Sequence, residues 1–157
     1  MSKIEDIFQA VRLNAWKEFV DLIKEVDINI KNEFGQNLLH EAISFQASQI
    51  ANQLISLSID VNNQDEQGQT PLHYAAAHNN SELTDALLKA GANVNLRDKH
   101  GNTVLWTAVF NARGKYDIVR LLILHGANKS TKNKANRSPY DFAVQIGDQT
   151  LLSLLSE

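Results

Sequence analysis

The chain has 157 residues, of which 43% are hydrophobic and 21% charged, with a formal net charge of −3 and no cysteine. A chain of this length can form one domain that buries about 70% of the surface of its unfolded state. The composition excludes a disordered chain, and the lack of cysteine excludes disulfides and thiolate metal sites. No apolar run approaches the roughly 20 residues that cross a bilayer, so we expect no membrane partner. Taken together, length and composition lead us to expect a cytoplasmic protein that is a monomer on its own.

The first 25 residues predict an amphipathic helical segment. Trp16, Phe19, Val20 and Ile23 follow the spacing of one apolar helix face. The preceding MSKIEDIFQAVRLN alternates charged with apolar residues and lacks the apolar core of a signal peptide. We therefore expect this segment to be the first part of the fold.

From residue 26 onward the chain repeats itself. Gly35, Gly68 and Gly101 lie 33 residues apart and open the phrases GQNLLHEAI, GQTPLHYAA and GNTVLWTAV. A fourth copy, NRSPYDFAV, covers 136–144. The units close on SIDVNNQD, GANVNLRD and GANKSTKN, and the earlier VDINIKN has the same form. Repeats of this length are typical of solenoids, in which each unit packs only against its neighbours.

Each copy carries the same signals for the start of a helix. Thr70 can cap a helix through its hydroxyl. Pro71 suits the first turn, because the backbone N–H that proline lacks would have no hydrogen-bond partner within the helix there. Ala75 and Ala76 keep this helix slim enough for close packing. The caps expected in the other copies are Asn37, Thr103 and Ser138.

Turn residues separate the predicted helices. The three repeat glycines suit a hairpin turn with positive φ, and Asn136 takes that place in the fourth copy. Gly91 and Gly126 are expected to end second helices, where one unit has Ser58 instead. Two extra residues place a longer loop at 111–117.

A 33-residue unit with the phrases G-x-T-P-L-H-x-A-A and L-L-x-x-G-A-x-V-N resembles the ankyrin repeat. The resemblance implies an all-α solenoid of five stacked helix-turn-helix units with projecting β-turn loops, and therefore ten helices. The first helices and turn tips would line a concave side. We expect an N-terminal capping unit at 1–31, full repeats at 32–64, 65–97 and 98–132, and a C-terminal capping unit at 133–157.

No short motif of an enzyme or a metal site is complete. HEAISF has serine at position 44 where a zinc-binding HExxH motif has its second histidine. The acid-rich 60–68 lacks the glycine of a calcium loop, and Gly114-Lys115 lacks the rest of a phosphate loop. We therefore predict no catalytic residue, cofactor or metal. By the family pattern, the imidazoles of His40 and His73 tie adjacent loops together.

The resemblance implies that a partner is bound by the turn tips and by the exposed side of the first helices. Four aromatic residues there, Phe34, Phe45, Tyr74 and Phe110, are candidate anchors because aromatic side chains dominate binding energies. One or two of them could instead fold back on neighbouring helices. The other candidate contacts are Glu33, Gln36, Glu41, Ser44, Glu66, Gln67, Gln69, Ala77, His78, Lys99, His100, Asn102, Thr107 and Asn111.

Charge is unevenly distributed along the repeats. Residues 1–96 contain 6 Lys/Arg and 13 Asp/Glu, whereas residues 97–157 contain 9 and 5. A solenoid turns this difference into an acidic N-terminal half and a basic C-terminal half. General nucleic-acid binding needs a continuous basic stripe, so this polarity favours a protein partner, the alternative being that the surface charge only keeps the protein in solution. Glu33, Glu41 and Glu66 would meet its basic groups.

The sequence thus predicts a non-enzymatic protein-interaction module. A narrower hypothesis comes from its resemblance to small, free-standing bacterial ankyrin proteins, some of which act as immunity proteins. In that case the acidic and aromatic half would occlude a basic toxin domain. A host-directed effector or a general scaffold is the alternative.

Overall fold

The computed structural model describes residues 2–156, which form ten α-helices and one short 3₁₀ helix at Ile23–Glu25. The α-helices are α1 (Lys3–Arg12), α2 (Trp16–Leu22), α3 (Leu38–Ser44), α4 (Ser48–Ser56), α5 (Pro71–Ala77), α6 (Ser81–Lys89), α7 (Val104–Asn111), α8 (Asp117–Leu124), α9 (Pro139–Ile146) and α10 (Gln149–Leu155).

The helices are arranged as five successive pairs. Within each pair the two helices contact each other, as α3 does α4 and α5 does α6. The first helices α1, α3, α5, α7 and α9 form one row, and α2, α4, α6 and α8 form a second. No β-strand is present between residues 2 and 156, where isolated bridges at Lys31–Asn37 and Arg97–Thr103 close two hairpins. The predicted all-α solenoid with ten helices is therefore confirmed.

The expected caps start the first helices. The Thr70 hydroxyl accepts a hydrogen bond from the backbone N–H of His73 at 3.3 Å, and Pro71 occupies the first turn. Asn37, Thr103 and Ser138 cap α3, α7 and α9 in the same way. These bonds satisfy N–H groups that the helix itself leaves free, so the local sequence determines where each unit begins.

The hairpin glycines have the backbone geometry that the sequence predicts. Gly68 has φ of +74°, and a Cβ at this position would lie only 3.0 Å from the backbone of the next hairpin. Glycine is therefore needed for both its conformation and the close approach of the neighbouring unit. Asn136 takes the equivalent place with φ of 59°. Ser58, which replaces the glycine at the end of a second helix, is also left-handed with φ of 62°.

The core lies between the two rows of helices and between successive pairs. Ala75 and Ala76 are buried, as expected for a slim helix, and so are Leu88 and Leu122 on second helices. The longer connection follows α7, where Arg113 and Gly114 have positive φ. The unit that contains it still stacks on its neighbours, since α7 packs against α5 and α9 and α8 packs against α6.

Candidate protein-binding surface

Four hairpins project from the first helices, at 31–36, 64–69, 97–102 and 132–137. Each is held by one side chain that accepts two backbone N–H groups of its own turn. Asp65 Oδ1 accepts from the N–H groups of Gln67 and Gln69, both at 2.9 Å. The same role is taken in the other hairpins by Asn32, Asp98 and Asn133.

The tips of these hairpins are linked by backbone hydrogen bonds. The N–H of Glu66 donates to the carbonyl of Phe34 at 3.0 Å, and that of Lys99 donates to Gln67 at 2.8 Å. Lys134 continues the series by donating to the carbonyl of His100 at 2.9 Å. The tip residues 33–34, 66–67, 99–100 and 134–135 therefore form one continuous edge, here called the tip edge.

Two buried histidines join neighbouring units beneath the tip edge. His40 Nδ1 accepts the N–H of Asn37 at 3.3 Å, so Nε2 carries the proton and donates to the carbonyl of Gln69 at 2.9 Å. His73 makes the equivalent contact with the carbonyl of Asn102 at 3.2 Å. Burial lowers the pKa of both imidazoles. The expected loop-tying role of these histidines is confirmed.

The predicted contact residues differ in accessibility. We define the inner face as the tip edge together with the accessible side chains of the first helices. Its exposed candidates are Glu33, Phe34, Phe45, Glu66, Gln67, Ala77, His78, Lys99, His100 and Phe110. Those partly exposed are Gln36, Ser44, Gln69, Tyr74, Asn102, Thr107 and Asn111.

Glu41 is the exception, and its expected exposure is wrong. Its side chain is only 5% exposed and forms a salt bridge with Arg12 Nη2 at 2.8 Å. Arg12 Nε and the amide of Asn32 complete the contacts to the carboxylate, at 3.1 and 2.9 Å. α1 packs against α3 and brings Arg12 over a position that the repeat pattern alone places at the surface. Glu41 thus joins the first two units.

Tyr74 is also held within the protein. Its hydroxyl donates to Asp65 Oδ2 at 2.6 Å and accepts from the Gln36 amide at 2.7 Å. Its ring contacts the His40 ring edge-on, with 4.8 Å between centroids. Burial and the Asp65 carboxylate raise the pKa of the phenol. Tyr74 therefore folds back, which the sequence left open for one or two of the four aromatics, whereas Phe34 and Phe45 are 55% and 51% exposed.

An aromatic cluster occupies the C-terminal part of the inner face. Phe110 is 56% exposed, and its ring lies 5.2 Å from that of Phe142 on α9. Phe142 also contacts Trp106, with 5.7 Å between centroids, and the Arg137 guanidinium lies 5.9 Å from the centroid of the Trp106 ring. We call Trp106, Phe110 and Phe142 the aromatic shelf.

Comparison with protein families agrees with this geometry. A family model described as ankyrin repeats (3 copies) matches residues 7–98 and 50–133, which together cover more than half of the chain. The chain belongs to the ankyrin repeat family. Ankyrin repeats are in general protein–protein interaction modules. A comparison with curated proteins gave no match.

The ankyrin units also present a surface that sequence reasoning missed. α1 lacks the TPLH phrase, yet it lines a depression with the first hairpin, bordered by Ile4, Phe8, Arg12, Lys31 and Glu33. Ile4 is 45% exposed there. Phe142 was missed too, since the C-terminal ankyrin unit has Asp141 where two full repeats have His40 and His73. The available signal was the spacing: Phe142 follows its cap Ser138 at the same distance at which Tyr74 follows its cap Thr70.

The ankyrin scaffold offers no group of His, Asp and Glu side chains that could hold a metal within residues 2–156. Over the same residues, no helix has the length and apolar character of a membrane span.

Proposed function

We propose that the chain is a non-enzymatic module that binds a partner protein through the inner face, with Phe34, Phe45 and Phe110 as anchors. The observation that carries this proposal is the exposure of more than half of each phenylalanine side chain. A single exposed apolar residue is ordinary, but three large rings on one face, two in the repeat 32–64 and one in the repeat 98–132, are a preferred composition for an interface.

The hydrogen-bonded tip edge supports the proposal. Because the tips are joined from Phe34 to Lys134 by backbone bonds, the hairpins lose little freedom when a partner binds. Preorganisation of this kind reduces the entropy cost of association. Tyr74 contributes to this rigidity through Asp65 and Gln36, so its role in binding would be to position the hairpins.

The experiment is site-specific photo-crosslinking in cells of the source organism. A photoreactive phenylalanine analogue replaces Phe45 or Phe110, and the matched control carries it at Leu124, which is 80% exposed on the second helix α8. We expect a shared protein adduct from the two inner-face positions and none from the control. Adducts from Leu124 alone would contradict the assignment of the inner face.

A narrower proposal is that the chain is an immunity protein that occludes a basic toxin domain in the cytoplasm, acting as a monomer. Glu33 and Glu66 on the tip edge, next to the exposed Phe34, support it because they offer negative charge beside an aromatic anchor. Glu41 adds nothing here, since Arg12 already neutralises it.

Co-expression with a toxin-like protein encoded beside this gene tests that version. We expect the chain to rescue growth, and a Glu33→Lys/Glu66→Lys variant to rescue less well. Light scattering of the purified chain would check the monomer. If the variant rescues growth as well as the parent, these two carboxylates do not contribute to toxin binding. A neighbouring secretion system with no toxin-like gene would instead favour a host-directed effector.

A further inference from the structure

The charge of the hairpins reverses midway along the tip edge. Hairpins 31–36 and 64–69 together contain one Lys/Arg and three Asp/Glu, whereas 97–102 and 132–137 contain five and one. The cations are Arg97, Lys99, Lys132, Lys134 and Arg137. Since the tips are adjacent in order, the change occurs in one step, between Glu66 and Lys99.

The positive charge of the last two hairpins is only partly offset within the protein. Hydrogen bonds from Ser138 and, to a smaller extent, the charges of Lys132 and Arg137 lower the pKa of Asp141 on α9. No salt bridge of residues 2–156 involves any of the five cations. The one carboxylate of these hairpins, Asp98, is 8% exposed and accepts the N–H groups of His100 and Asn102 of its own turn. Lys99 and Lys134 are exposed at the tips, where a partner can reach them.

One of these cations contacts the apolar area on the same half of the inner face. Arg137 belongs to the last hairpin, and its guanidinium lies over the Trp106 ring, 5.9 Å from the centroid, which links this hairpin to the aromatic shelf. Phe110 is the exposed end of that shelf. The C-terminal half of the inner face therefore combines an unpaired positive edge with exposed aromatic surface.

We propose that this surface, defined as Lys99, Lys134, Arg137 and the aromatic shelf, binds an acidic segment of the partner protein that also carries an aromatic side chain. The inference rests on the proposed function for the statement that the partner is a protein. The acidic side chains would meet Lys99 and Lys134, and the aromatic side chain would pack on Phe110. Charge pairs at such a rim set orientation and association rate, while the aromatic contact supplies more of the affinity.

The length of the basic edge favours a protein segment over a nucleic acid. A polynucleotide carries a phosphate at every step and needs a basic track along its whole path. On the tip edge the track ends at Lys99, and the next tip presents Glu66. A protein segment that is acidic only where it meets the last two hairpins avoids that repulsion. The reversal also gives the partner one orientation along the solenoid.

The test uses a fluorescent peptide built from repeated Glu-Glu-Phe triplets, with serine and lysine versions and a single-stranded RNA as comparisons. Binding to the full chain is measured by fluorescence anisotropy over a range of salt concentrations. The test variant is Lys99→Glu/Lys134→Glu. Its matched control, Lys17→Glu/Arg120→Glu, makes the same charge change at exposed positions on the second helices α2 and α8. Thermal melts check that both variants fold.

We expect the parent to bind the acidic peptide in preference to the other three probes, with affinity that falls as salt is added. The test variant should bind it at least tenfold more weakly, and the control within twofold of the parent. Equal losses in both variants, no binding by the parent, or tighter binding of the RNA would each overturn the inference. Crosslinking at Phe45 and Phe110 tests the inner face itself, so failure of the acidic peptide is distinguishable from failure of the proposed function.

Discussion

Truncation of one leucine on α8 tests the packing between units. Leu122 is fully buried on this helix, whereas Leu124, two residues later, is 80% exposed. Leu122→Ala removes three carbon groups at about 0.8 kcal/mol each, or about 2.4 kcal/mol. The cavity that remains adds to this, which gives an expected loss of about 2–5 kcal/mol.

Leu124→Ala is the matched control, because it makes the same chemical change on the same helix without opening a cavity. We expect it to change the free energy of unfolding by no more than about 0.5 kcal/mol. Urea unfolding followed by circular dichroism measures both free energies of unfolding, provided that the slopes agree with that of the parent. A loss below about 1 kcal/mol for Leu122→Ala, or equal losses for the two variants, would show that the packing of α8 has been misassigned.

Two further predictions concern the buried histidines and the hairpin glycines. Burial lowers the pKa of His40 and His73, so below the unfolded value of about 6.5 the unfolded chain binds more protons than the native chain. The contribution of these two histidines to stability should be constant above that pH and fall as the pH drops below it. Urea midpoints of a His40→Gln/His73→Gln variant should therefore change less with pH in this range than those of the parent, and an equal or larger change in the variant would refute the reasoning. Gly68→Ala should lower the melting temperature more than Gly91→Ala. Both glycines have positive φ, but only at Gly68 would the added Cβ lie 3.0 Å from the backbone of the next hairpin. Equal decreases in melting temperature would show that this close contact is absent.

Much of the fold could be predicted because its signals are local. Thr70 and Pro71 determine a helix start from within one turn, and Gly68 determines the preceding hairpin through its own φ. Such interactions span a few residues and recur every 33, so each copy confirms the others. Stacking follows because no pair of helices can bury its apolar face alone.

The candidate site was less predictable because its side chains respond to neighbouring units. Glu41, Tyr74 and Phe142 occupy the same position after their helix caps, yet they have three different environments. Glu41 pairs with Arg12, 29 residues away along the chain, and Tyr74 bonds to Gln36, 38 residues away.

The sequence by itself therefore determined the repeat architecture, the caps and turns, and the change from acidic to basic hairpins. Only the tertiary structure decided that Glu41 is buried and neutralised, that Tyr74 supports a hairpin, and that Phe142 and Trp106 extend the surface around Phe110. The physical reason is the range of the interactions. Helix caps and turns depend on adjacent residues, whereas the exposure of a side chain depends on what the next unit places against it.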